Sequence, residues 1–215
     1  MPAMSWSQWL FGTDAGLLAR IAVGGAVLLV LAAVDLLHKR RQATRWKEYL
    51  FLLACVAAAM AYGLANDMVT VTISPVYFVV HEGLPADTPN IRAVAAVLAL
   101  RGTWWVGAIL GVAMLMANNP LRPWPRLGYR RMYPKLLYPF AAALAGSVLL
   151  AAAAHSGWFD ALLDLEGQGR LRNFQVVYWA HSGAYGGGAL GGLAALVAIL
   201  LQRRKAARPQ QPSAA

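Results

Sequence analysis

Five apolar runs, at about residues 17–37, 48–65, 95–117, 136–154 and 176–201, make up most of the chain, and the loops between them are alternately basic and acidic. A helix of about 20 residues covers the roughly 30 Å of hydrocarbon in a bilayer. Inside that hydrocarbon every backbone N–H and C=O needs a partner within the protein, so runs of this length are helices. The reading is an all-α chain, a five-span transmembrane helix bundle occupying residues 1–205 as a single domain. Composition agrees: 59% of the 215 residues are hydrophobic and 13% are charged, a balance far from that of a soluble domain.

The net charge of +10 could point to nucleic acid, but its placement has a simpler cause. The loops after spans one and three and the tail after span five hold 5, 5 and 4 Lys or Arg, while the other polar segments hold only Arg92, Arg170 and Arg172. Fourteen against three is the bias that orients helices in a membrane, and it puts the N-terminus outside and the C-terminus in the cytoplasm. The expected partners are therefore the lipid bilayer and a second copy or a partner helix, with no nucleic acid. A cleaved signal peptide would carry its positive charge before the first apolar run, whereas here the charge follows as His38-Lys39-Arg40-Arg41, so span one is expected to be retained. Trp6, Trp9 and Phe11 suggest an interfacial lead-in over residues 1–16, and the Pro/Gln/Ala tail at 206–215 reads as disordered. Cys55 is the one cysteine, which leaves no intrachain disulfide, CxxC pair or cysteine-rich metal site.

The longest passage that does not read as a helix is 66–82, NDMVTVTISPVYFVVHE. Val69, Val71 and Ile73 alternate with Thr70, Thr72 and Ser74, and Ser74 precedes Pro75, so the expectation is an extended extracytoplasmic segment after the second span. With the topology above, the outer level collects Asp67, His81, Glu82, Arg101, His155 and His181. Thr70, Thr72, Ser74, Tyr77 and Trp104 are expected to line a polar pocket beside Asp67, His155 and His181, and Arg101 to pair with Asp67 or Glu82. Imidazoles with a carboxylate bind metals or relay protons, which makes His155, His181 and Asp67 weak metal candidates. No HExxH or HxH spacing supports them, and the sequence assigns no metal or other cofactor. Trp104 and Trp105 also fit the ordinary aromatic belt.

Span five contains HSGAYGGGALGG, in which Gly183, Gly187 and Gly191 recur every four residues beside Ala184, Gly188 and Gly192. Small residues at that spacing let another helix approach closely. Tyr185 stands one turn beyond His181, so the two are expected to share a face. Neither His181-Ser182-Gly183 nor His155-Ser156-Gly157 has the form of a nucleophile elbow.

VTVTISPVYF after a Tyr-Gly-Leu-Ala-Asn-Asp helix end, GTWWVGAILG in the third span and AHSGAYGGGALGG in the last resemble a group of small uncharacterised bacterial polytopic membrane proteins. The likeness covers roughly residues 49–204, with span one an addition, and implies a bacterial inner-membrane location but no activity. Where the group reads His-Asp and Pro-Glu-Tyr-Phe, this chain has Asn66-Asp67 and Pro75-Val76-Tyr77-Phe78, which removes the His and the Glu a metal would use.

Three functions are compatible with these residues. The first is a non-enzymatic membrane module that binds a small ligand, a metal ion or a partner helix through an outer polar pocket. The second is a membrane-embedded enzyme using His and Asp as acid and base on a lipid-like substrate. The third is a transporter or channel subunit, although the inner halves of the spans offer no polar path.

Overall fold

The computed structural model describes residues 15–40, 43–119, 123–160 and 171–207. The lead-in, Asp164, Glu166 and Arg170 of the second acidic loop, Arg122, and all but the start of the tail lie outside these residues. The helices are α1 (Ala15–Lys39), α2 (Arg45–Ile73), α3 (Pro75–Val80), α4 (Ile91–Ala117), α5 (Tyr129–Met132), α6 (Leu137–His155) and α7 (Arg172–Ala206), with a 3-10 turn at Tyr133–Leu136. There is no strand among the described residues. Among the described residues five segments are long and apolar enough to cross a membrane: Ala19–Lys39, Arg45–Ile73, Ile91–Ala117, Tyr129–His155 and Arg172–Ala206. The chain is thus an all-α, five-span membrane protein.

Large apolar side chains stay on the surface of these helices. Val23, Val27 and Val30 on α1, Ile109 and Met116 on α4, and Leu190, Leu193 and Val197 on α7 are all exposed. Such a surface is costly in water and suits lipid tails. Helix association in lipid rests instead on close packing of small residues.

The expectation of an extended segment over residues 66–82 is corrected. Helix α2 runs on through Asn66 and the Val/Thr alternation to Ile73, 29 residues in all. The β-branched threonines are accommodated because their hydroxyls donate back to carbonyls one turn earlier, Thr70 to Asn66 at 3.0 Å and Thr72 to Met68 at 2.8 Å. An apolar medium also favours the helix, which satisfies its own backbone. Extended backbone is confined to Ser74, at φ −146° and ψ 91°, where the ring of Pro75 disfavours helix in the residue before it. Pro75 then opens α3, whose first turn needs no N–H from it. The second span accordingly extends well past the expected boundary at 65, and at 29 residues it is about 43 Å long, more than the hydrocarbon needs.

Other termini follow their sequence signals. Asn90 accepts the Ala93 N–H on its side-chain oxygen at 3.3 Å, capping the 27-residue α4. That helix is continuous through Arg101 and Gly102 and stops at Ala117, before Asn118-Asn119.

The chain divides into two compact units, Met1–Gly111 and Val112–Ala215. In the first, α2 and α4 run antiparallel, because Gly63 lies opposite Thr103 and Cys55 opposite Gly107 and Gly111. In the second, α6 and α7 are antiparallel, with Gly146 opposite Gly183, Ala142 opposite Gly187 and Tyr138 opposite Gly191.

Candidate functional site

In the first unit, the break between α2 and α3 buries a group of polar side chains. Asp67 is 9% exposed, and Thr70, Ser74 and Tyr77 are buried with it. Helical spacing explains the grouping: positions 67, 70, 71 and 74 fall on one face, and that face is the buried one. Asn66 donates from its side-chain amide to Asp67 Oδ1 at 3.3 Å. Beyond the break the Tyr77 hydroxyl reaches Glu82 Oε1 at 3.4 Å, while the Tyr77 ring stacks on His81 with centroids 4.9 Å apart.

The remaining expected residues divide between the two units. Thr72, His81 and Glu82 are exposed. The Thr72 hydroxyl accepts a hydrogen bond from Arg92 at 3.1 Å, which ties the start of α4 to the end of α2. Arg101 and Trp104 lie on α4, partly exposed. The register of Gly63 against Thr103 puts Arg101 within one turn, about 5 Å, of Asp67 along the helix axis. The Trp104 indole N–H is buried and has no hydrogen-bond partner among the described residues.

In the second unit, His155 is exposed at the end of α6, whereas His181 is 7% exposed on α7. The α6–α7 register places His181 opposite residue 148, seven residues short of His155, so the two are about 10 Å apart along the axis. They do not form a pair. Nor do His181 and Tyr185 share an environment, since Tyr185 is 63% exposed. Among the described residues no group of three or more His, Cys, Asp or Glu is placed to hold a metal ion.

Along α7, a Cβ at Gly183 would collide with the Gly146 carbonyl oxygen, one at Gly187 with that of Ala142 and one at Gly191 with that of Tyr138. The hydrogen standing in place of each Cβ points at a carbonyl, the geometry of a weak Cα–H···O bond. A Cβ at Gly188 would make only an ordinary contact, 3.7 Å to Ala143 Cβ, and Gly192 is buried.

One residue that reads from sequence as a mere orienting charge is central to the second unit. Arg203 is fully buried near the end of α7. Its guanidinium donates to the carbonyls of Ala117, Asn119 and Trp124, the last two at 2.8 and 2.6 Å, and Nε donates to Pro125 at 3.1 Å. The same loop is fixed by Asn118, which donates to the Leu127 carbonyl at 3.0 Å and accepts the Leu127 N–H at 2.8 Å. A signal for this arrangement exists in the sequence: Pro120, Pro123 and Pro125 leave the loop with more carbonyls than N–H groups, and a fork of five donors meets that need. At the other end of α7, Arg172 bridges to Asp160 at 2.8 and 3.0 Å and to the Ala154 carbonyl at 2.8 Å.

Comparisons with protein families, with curated proteins and with solved structures return no match.

Proposed function

We propose that this chain is a non-enzymatic module of a bacterial inner membrane, N-terminus outside and C-terminus cytoplasmic, that recognises a small ligand at the end of its second span. The observation that carries the reading is Asp67, an acidic side chain buried inside a membrane-spanning helix. Ionisable groups at such depth are expensive and are retained for function. Thr70, Ser74 and Tyr77 are buried beside Asp67, and the Asn66 side-chain amide donates to its carboxylate, so polar groups gather at this one end of the span. The glycine face of α7 belongs, in this reading, to helix packing rather than to ligand binding, since its glycines meet backbone.

Asp67→Asn tests the reading, because it keeps the shape and removes the acid. An acid retained for recognition costs stability, so the variant purified without ligand should melt at or above the wild type. Only the wild type should then gain stability from the dialysable small-molecule fraction of the host cell. A fall of several degrees in the unliganded variant makes Asp67 structural, and no gain in the wild type removes the ligand.

A further inference from the structure

At the basic end of the second unit, a cleft of about 640 Å³ opens between the segment 130–135 and the last turns of α7. Arg130, Arg131, Lys135 and Lys205 line it together with Gln202, and among the described residues no carboxylate does. We propose that this cleft binds the phosphate-bearing headgroup of an anionic phospholipid.

Lys135 is the built part of the site. It is buried, and its ammonium donates to the Arg131 carbonyl at 3.0 Å and to Gln202 Oε1 at 2.8 Å, both neutral partners. Those bonds fix the ammonium and use two of its three N–H groups, leaving one for an anion. Arg130, Arg131 and Lys205 are exposed and free to close on a phosphate as it arrives. The carbonyl end of α7 opposes an anion with about half an elementary charge, which four cations outweigh. Depth and flanks identify a lipid as the source of the phosphate. The cleft lies at the ends of two membrane-spanning segments, Tyr129–His155 and Arg172–Ala206, where headgroups reside. Leu137, Tyr138 and Leu201, next along those helices, are exposed apolar surface for acyl chains. Basic clefts between spans are established headgroup sites in general.

The test is native mass spectrometry of the full chain released from detergent, titrated with phosphatidylglycerol and with phosphatidylcholine, beside an Arg130→Gln/Lys205→Gln variant and an Arg45→Gln/Lys47→Gln control that removes equal charge elsewhere. The wild type and the control should retain phosphatidylglycerol in preference to phosphatidylcholine, and the cleft variant should lose on the order of 20-fold of that preference. Excess inorganic phosphate should leave the phosphatidylglycerol adduct in place. Equal retention of both lipids by the wild type, an unchanged preference in the cleft variant, or an equal loss in the control overturns the proposal. Displacement by inorganic phosphate overturns it too, by making free phosphate the ligand. The cleft and Asp67 lie in different units, so the two proposals fail independently.

Discussion

In the α6–α7 seam, three glycines four residues apart each meet a backbone carbonyl. In the α2–α4 seam, the neighbours of Gly63, Gly107 and Gly111 differ: a threonine side chain, the Cys55 carbonyl with the Val56 Cα, and the side chains of Leu52 and Cys55. A carbonyl in a helix cannot move without its whole turn, whereas a leucine methyl can rotate away. The first seam is consequently rigid over its length, and the second has one rigid point with yielding contacts on either side. The buried polar group at Asp67 sits on α2, the helix with the more yielding seam.

Substitutions can break this contrast in order of severity. Gly187→Val should be the most damaging, because it drives a branched side chain into the Ala142 backbone and must part the helices; a loss of about 3 kcal/mol or more is expected. Thermal unfolding followed with a thiol-reactive dye would measure it, since Cys55 is the single cysteine and is fully buried. Gly107→Ala should cost less, about 1–3 kcal/mol: its new Cβ lies 2.6 Å from the Cys55 oxygen and 2.7 Å from the Val56 Cα, but one methyl is less bulk than a valine and the contacts on either side can yield. If Gly107→Ala proves as damaging as Gly187→Val, the two seams are equally rigid and the contrast is lost. Gly186→Ala marks the lower limit: it has no neighbour within 4 Å, and in the same assay it should be neutral or add about 0.5–1 kcal/mol through helix propensity.

Features that depend on one helix alone were legible in the sequence. Hydrophobic length located the five spans, the side-chain oxygen of Asn90 marked the start of α4, and the spacing of Gly183, Gly187 and Gly191 marked the face that meets α6. Alternation of Val with Thr misled at residues 66–73, because in an apolar medium a lone segment satisfies its backbone only as a helix, whatever the period of its side chains. Gly107 and Gly111 form the same four-residue repeat, but what they meet is set by α2, which the sequence of α4 does not contain. Asp67, Thr70, Ser74 and Tyr77, expected to lie together at the outer level, are all buried, because helical spacing puts 67, 70 and 74 on one face. The distance between His155 and His181 depended on the α6–α7 register, which the glycine repeat permits in several offsets a turn apart.

The Arg203 knot sets an order of events during synthesis. The carbonyls it satisfies, from Ala117 to Pro125, are made 78 to 86 residues before it. At roughly 5–20 residues per second, the loop waits on the order of 4 to 16 s for its donor. Through that interval α4 can enter the membrane, but the proline-rich turn behind it stays wet and accessible to other factors. The last helix therefore acts as a clasp as well as a span, and a nascent chain halted before residue 203 should expose residues 123–127 to protease that the completed chain resists.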